Sequence, residues 1–377
     1  MSQECCRCSC ISDALKLILS PCFDAENTFP RDVHGARMPQ SIFTVLLTTV
    51  LSVTSVTEDT SLIKQSDFTK SRNPDCKAVL YHSPDINPAV LKEYIEAYTF
   101  ACEYFGDIRT MEIWLTSNDE AAAAKLRQRW CQHRLRLDSS FRDSYCKDSQ
   151  IGVYLNNYVH WFSIDWRPGI DEHHQVNLAD QHSLESDGAE STMAHEFFHA
   201  YQYSHLDLDI YQTWQSRDLN MGRSEDASKP WHSEGSASFF GSFLVELMGS
   251  SGALRNYLAY YVDPTGGNCQ ELIDENFSLW DLEFDTRNNC GYGLGAWAIT
   301  LLISQNSIAS YLAFYDDLNP YGFFDAWSKN FGRTVDEFDV EFREWFLTTS
   351  DDVKFETVNT LVVSEQSETL SQAISSR

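Results

Sequence analysis

The feature that most constrains this chain is the pentapeptide His195-Glu-Phe-Phe-His199. On an α-helix, positions four apart differ by about 40° in direction, so both histidines project from one face and can bind one metal ion. Glu196 points beside that ion. A carboxylate there can take a proton from zinc-bound water, whose pKa the metal lowers to about 7, and pass it to a leaving amine. The motif therefore predicts a Zn2+ site that hydrolyses peptide bonds.

The residues around the motif favour a helix that places both histidines mid-helix. Asp187 is a suitable N-cap with Glu190 three residues later, and an apolar-rich pattern continues through Tyr201. The alternative is a buried helix whose histidines are only hydrogen-bonded.

The identity of a third zinc ligand is less constrained. A catalytic zinc normally takes three protein ligands and keeps a fourth position for water. His205 has the metzincin spacing, but that arrangement needs a glycine where this chain has Gln202. His205 is therefore expected to be a cation at the helix C-terminus or a surface residue. His232 stays open as a ligand that would have to bind from a loop.

Glu234 is the favoured third ligand. It opens a second amphipathic helix, from about residue 233 to 248, which Gly249 stops. The small residues Gly235 and Ala237 would let this helix approach the first one closely, so that the carboxylate reaches the metal from the side.

The two segments together resemble a known family. His195-Glu-Phe-Phe-His199 followed by Trp231-His-Ser-Glu-Gly-Ser-Ala-Ser-Phe-Phe240 resembles the gluzincin zinc metallopeptidases, whose third ligand is the glutamate of an E-G-x-A segment. The W-x-x-E-G-x-A-x-F-F form is similar to that of bacterial collagenase catalytic domains. This resemblance implies zinc ligands at His195, His199 and Glu234. The chain departs from the pattern at Ser238, where some gluzincins carry an aspartate that orients a zinc histidine.

Two further stretches extend the resemblance over roughly residues 80 to 350. Residues 292–302 resemble the Y-x-x-G helix that follows the third ligand, and 323–346 resemble the closing helix pair, with Gly332 ending one helix and Thr334 capping the next. The resemblance implies that Tyr292 donates a hydrogen bond to the oxyanion that forms during hydrolysis. The alternative is a core aromatic at a helix start.

The predicted fold class is α+β, a zincin-like bilobed metallopeptidase. A mixed α/β lobe over 56–205 ends in the HExxH helix, a mainly helical lobe spans 206–350, and 351–377 is a partly disordered tail. The predicted elements are a helix from Asn87 to Gly106, a strand over 111–115, a helix over 119–134, strands within 151–164 that turn at Asn156-Asn157, a polar loop at His173-His174 and an irregular connection over 206–230.

The segment 38–55 predicts a secretory signal. Arg37 precedes an apolar run from Ile42 to Val53, and cleavage is expected after Ser55. Residues 1–37 are then a leader or a mispredicted extension of the coding region, with Met38 as the initiator. The alternative to secretion is a protein anchored to the membrane by an uncleaved 38–55 segment.

Cysteine usage agrees with an oxidising compartment. Five of the 11 cysteines precede Met38, and the remaining six are an even set that predicts three disulfides. Local pairing of Cys131 with Cys146 and of Cys269 with Cys290 is one choice among fifteen connectivities.

Composition restricts the partners. The net charge of −27 disfavours nucleic acid and stable membrane association, because both require basic patches. A secreted peptidase acting on peptide or protein substrates is the favoured function. The alternative is a catalytically silent secreted protein of the same fold with a binding or structural role, although such a protein has no need of Glu196.

Overall fold

The computed structural model describes residues 76, 78–106, 108, 110–116, 119–137, 162–166, 172–178, 188–205, 231–262, 269–275, 277–282 and 290–375, all within the unit Thr60–Arg377. The elements in chain order are β1 (Ala78–His82), α1 (Pro88–Phe105), β2 (Thr110–Thr116), α2 (Glu120–Leu137), β3 (Phe162–Trp166), β4 (Glu172–Leu178), α3 (Gly188–Ser204), α4 (Ser233–Leu247), α5 (Ala253–Val262), α6 (Cys269–Asp274), a 3-10 turn (Leu279–Asp281), α7 (Cys290–Asn306), α8 (Ile308–Asp316), α9 (Leu318–Phe331), α10 (Val335–Thr348) and α11 (Asp351–Ser375). The predictions on Asp187, Asn156-Asn157 and residues 1–55 and 206–230 lie outside the described residues.

The strands form one sheet in the order β1-β2-β4-β3. β1, β2 and β4 are parallel, and β3 pairs antiparallel with β4. The prediction of a polar loop at His173 and His174 was wrong, because both residues lie in β4 and pair with Met111 and Glu112 of β2. Backbone pairing with a central strand overrides the polar composition of this segment.

Helix α1 forms as predicted. The Asn87 side chain accepts a hydrogen bond from the Ala89 amide at 2.9 Å, Pro88 occupies the first helical position, and Gly106 ends the helix with φ 91°. Its buried face includes Val90, Tyr94 and Tyr98, and full burial of an aliphatic side chain such as that of Val90 stabilises the fold by about 1.5–3 kcal/mol. This face packs against α3, so α1 supports the helix that carries the histidines.

The described residues after position 230 contain helices and no strand, as predicted for this part of the chain. The closing helix pair is present as α9 and α10. Gly332 ends α9 in the left-handed conformation, and Thr334 forms a capping box with Glu337 at the start of α10. The described part of the chain is therefore mostly helical with a small mixed sheet, which agrees with the coarse α+β class.

The C-terminal segment corrects the prediction of a disordered tail. Residues Asp351–Ser375 form α11, which buries Val358 and Val362, and the Tyr104 hydroxyl donates a hydrogen bond to Glu365 at 2.7 Å. The composition is rich in serine and glutamate, but apolar residues four apart give the helix a face that packs on the core.

Two disulfides lie among the described residues. The predicted Cys269–Cys290 bond is confirmed, and a second bond joins Cys76 to Cys102. Cys146 lies outside the described residues, so its pairing with Cys131 stays a prediction. The disulfides indicate a non-cytoplasmic protein, because such bonds persist in oxidising compartments. None of the described helices is both long enough and apolar enough to cross a membrane.

Candidate metal site

The HExxH residues lie in the middle of α3 and form a group that could hold a metal ion. His195, Glu196 and His199 are all buried, and one potential ligand atom from each lies within 4.8 Å of the others. The histidine Nε2 atoms are 3.1 Å apart. The spacing of four residues therefore brings both rings to one point, as the sequence predicts.

Glu234 meets these rings from the first turn of α4. Its Oε2 atom lies 3.1 Å from Nε2 of His199 and 3.4 Å from Nε2 of His195. Ligands about 2.0–2.2 Å from a tetrahedral zinc lie roughly 3.3–3.6 Å from each other. Each side of the observed triangle is within a few tenths of an ångström of that spacing, so these three residues fit an ion of the size of zinc.

The close approach of α4 to α3 depends on Gly241, a residue that no pattern in the sequence indicated. A Cβ atom at Gly241 would lie 3.1 Å from Cβ of His195. Gly235, together with Ala237, was predicted to let α4 approach α3 closely, and for Gly235 this prediction was wrong. Gly235 faces α7 instead, where its Cβ would lie 2.6 Å from Cα of Gly295. Helix spacing depends on which face meets which neighbour, and a local pattern does not specify that.

The two alternative histidine ligands lie elsewhere. The Nδ1 atom of His205 is 2.8 Å from the Tyr201 carbonyl at the end of α3, and its Nε2 atom is 3.4 Å from Asp316. This agrees with the expected role at a helix C-terminus. His232 is fully buried, and its Nε2 atom lies 3.1 Å from the Tyr311 hydroxyl in the aromatic core.

The outward nitrogen of each site histidine has a side-chain neighbour on α3 or α4. Nδ1 of His199 lies 2.8 Å from the amide oxygen of Gln202, and Nδ1 of His195 lies 3.5 Å from the Ser238 hydroxyl. The contact between Ser238 and His195 is thus at the limit of hydrogen bonding. In the sequence, Gln202 indicated only that the metzincin pattern is absent. Its spacing of three from His199 on one helix is the signal that could have identified it.

Tyr292 lies beside the site. It is in the first turn of α7, partly exposed, and its ring is stacked on that of His195 with 6.2 Å between centroids and 15° between planes. The structure therefore brings Tyr292 together with the HExxH residues. Its role as an oxyanion donor stays a prediction.

The two carboxylates have opposite electrostatic environments. Burial raises the pKa of Glu196 to about 8, although the charge of His199 acts in the other direction. Burial would also raise the pKa of Glu234, but the charges and hydrogen bonds of His199 and His195 hold it well below its usual range. Glu234 is therefore ionised at neutral pH, as a metal ligand must be.

The pKa values of the two imidazoles depend on a similar balance between burial and their contacts with Glu234. Burial lowers the pKa of His195 despite a hydrogen bond with Glu234. For His199, burial acts in the same direction, but the charge and the hydrogen bond of Glu234 outweigh it and raise the pKa to about 9. A cation between the rings would displace the proton that His199 carries.

The site thus contains two imidazole nitrogens and an ionised carboxylate around one point, with a second buried carboxylate beside them. Comparison of the chain with protein-family models, curated proteins and solved structures gives no match.

Proposed function

We propose that this protein is a secreted zinc-dependent peptidase with a two-lobed, gluzincin-type fold. The observation that carries the proposal is the position of Glu234 Oε2, 3.1 and 3.4 Å from the two Nε2 atoms of the HExxH motif. Two helices far apart in sequence supply this three-ligand set. Glu196, the residue after His195, lies beside the set, where metal-assisted hydrolysis needs a general base.

Each residue has a distinct task in this proposal. His195, His199 and Glu234 hold the zinc, which supplies Lewis acidity toward the scissile carbonyl and lowers the pKa of water. Glu196 accepts a proton at its carboxylate, whose nearer oxygen Oε1 lies 3.9 Å from Nε2 of His195, and then donates it to the leaving amine. A bound cation would lower the pKa of Glu196 toward the range of a base, because it favours the ionised carboxylate.

The position of β3 supports a peptide as the substrate. β3 is at one end of the described sheet, and it contacts helix α3, which carries the HExxH residues. An extended peptide can add to such an edge through main-chain hydrogen bonds, which accept many different side chains. The net charge of −27 favours neutral or cationic peptides over acidic ones.

The test combines metal analysis with a peptidase assay. Purified protein should contain stoichiometric zinc, cleave a mixed peptide library, lose cleavage on chelation and regain it when zinc is added. Glu196→Gln is the matched control, because it keeps all three ligands and removes the proton acceptor. Zinc without cleavage in the wild type would favour the silent binding protein, and absence of zinc would refute the metal site.

Secretion has a separate test. If 38–55 is a cleavable signal, N-terminal sequencing of the protein recovered from the medium should begin near Val56. Recovery of an uncleaved 38–55 segment in the membrane fraction would support the anchored alternative.

A further inference from the structure

Gln202 connects the two helices that carry the proposed zinc ligands. Its side chain is buried on α3, and its amide oxygen faces His199 Nδ1 at 2.8 Å. The amide nitrogen contacts the other side of the helix pair. Its partners there are the Ser233 carbonyl at 3.1 Å, the Ser236 hydroxyl at 2.8 Å and the Tyr315 hydroxyl at 3.4 Å.

The Ser233 carbonyl fixes which way the Gln202 amide faces. A carbonyl oxygen can only accept a hydrogen bond, so the NH2 group of Gln202 must face it. The reversed amide would place two acceptor oxygens 3.1 Å apart inside the protein. The oxygen of the amide is thereby directed at His199.

The same logic extends to the imidazole. Because the amide oxygen also only accepts, Nδ1 of His199 must carry a hydrogen and donate it. The lone pair available to a metal is then on Nε2, the atom that lies 3.1 Å from both His195 Nε2 and Glu234 Oε2. Gln202 thus selects the form of His199 that fits the site.

The bond to Ser233 acts on the third ligand as well. The Ser233 carbonyl belongs to the peptide bond that joins Ser233 to Glu234. The Ser236 hydroxyl, which also lies within hydrogen-bonding distance of Gln202, donates to the His232 carbonyl at 2.5 Å, one turn earlier in the chain. Gln202 therefore contacts one ligand directly and holds the backbone next to another.

We propose that Gln202 is a positioning residue that sets the tautomer of His199 and couples His199 to Glu234, so that the metal site forms as a unit. This inference rests on the proposed zinc site. Residues that orient a metal-bound histidine contribute roughly 10- to 100-fold to metal affinity.

The test measures zinc affinity by chelator competition in the full-length protein. Gln202→Met keeps the side-chain length and removes both the acceptor and the donor, and it should lower zinc affinity roughly 10- to 100-fold. Ser236→Ala is the matched control. It removes a hydroxyl from the same buried network, but the Ser233 carbonyl still orients the amide. It should lower the melting temperature of the metal-free protein while changing zinc affinity far less than Gln202→Met does.

A nitrogen–proton NMR spectrum of the zinc-loaded wild type provides a second readout that needs no variant. It should show hydrogen on Nδ1 of His199 and coordination through Nε2. Coordination through Nδ1, or equal zinc affinities of wild type and Gln202→Met, would overturn this inference alone. Equal losses of affinity in Gln202→Met and Ser236→Ala would reduce Gln202 to a packing role. A wild type without zinc would overturn the proposed function together with this inference.

Discussion

The environments of Glu196 and Glu234 differ although both carboxylates lie beside the same imidazoles. Glu234 is within 3.4 Å of both Nε2 atoms, and these contacts keep it ionised despite burial. The carboxylate oxygen Oε1 of Glu196 lies 3.9 Å from Nε2 of His195, and burial raises the pKa of Glu196 to about 8. Direct contact with both rings suits a ligand, and the more isolated position suits an acid or base. The different surroundings of the two glutamates thus favour different roles in the proposed site.

The largest effect should come from removing the proton acceptor. Glu196→Gln should lower turnover roughly 100- to 10,000-fold, because the amide cannot accept the proton while the three ligands remain. Steady-state kinetics together with metal analysis check this prediction. Turnover at the wild-type level would mean that hydrolysis takes place elsewhere in the protein.

Removal of the third ligand should act on zinc binding, whereas Glu196→Gln acts on turnover with the ligands in place. Glu234→Ala should weaken zinc binding by more than about 100-fold, because a lost ligand costs more than a lost neighbour of a ligand. Activity that is lost because the site is empty should return at high zinc concentration. A chelator titration that gives the wild-type affinity would exclude Glu234 as a ligand, whatever the activity does.

Tyr292 tests whether the catalytic side of the site extends to α7. Tyr292→Phe should lower turnover roughly 10- to 1000-fold with little change in zinc affinity, because it removes a donor for the oxyanion and keeps the ring that stacks on His195. Unchanged turnover would mean that Tyr292 only packs against its neighbours and takes no part in catalysis.

The smallest predicted effect is the release of protons on zinc binding, which tests the electrostatic difference between Glu196 and Glu234 directly. At pH 7 the metal-free site holds one titratable proton on His199, in addition to the Nδ1 hydrogen, with a pKa of about 9, and one proton on Glu196, with a pKa of about 8. Zinc requires a neutral imidazole and favours an ionised carboxylate, so binding should release about two protons at pH 7. Zinc affinity should therefore rise with pH and level off above pH 9.

Calorimetry in buffers of different ionisation enthalpy measures this release. Glu196→Gln serves as the control and should release about one proton fewer than the wild type. Equal release from both proteins would show that Glu196 is already ionised in the metal-free site, and the contrast between the two carboxylates would fail.

How well each part of the site could be predicted depends on how far apart in the sequence the interacting residues lie. The convergence of His195 and His199 depends on one helix and could be predicted from their spacing. Glu234 was found through the motif around it, because no local pattern of α4 specifies its distance from α3. Gln202 was missed because its partners Ser233 and Ser236 are on another helix, and its own sequence position points only to His199.

The errors in the fold have the same origin. The β4 segment at His173-His174 is polar and forms a strand because β2 pairs with it. The tail forms α11 because Val358 and Val362 find a core to pack on, although the overall composition suggests disorder. Capping signals such as Asn87 and Thr334 were predicted correctly, since each side chain caps the helix that immediately follows it.

The contact between Gly235 and Gly295 has a consequence for mutational scanning. A Cβ at Gly295 would lie 2.9 Å from Cα of Gly235, the residue that follows Glu234 in α4. Any side chain at Gly295 must push α4 away from α7 and shift the turn that carries Glu234. A deep scan for loss of function should therefore place Gly295 among the positions that tolerate no replacement, alongside the HExxH residues themselves. Such a profile would identify an intolerant site whose own atoms take no part in the chemistry.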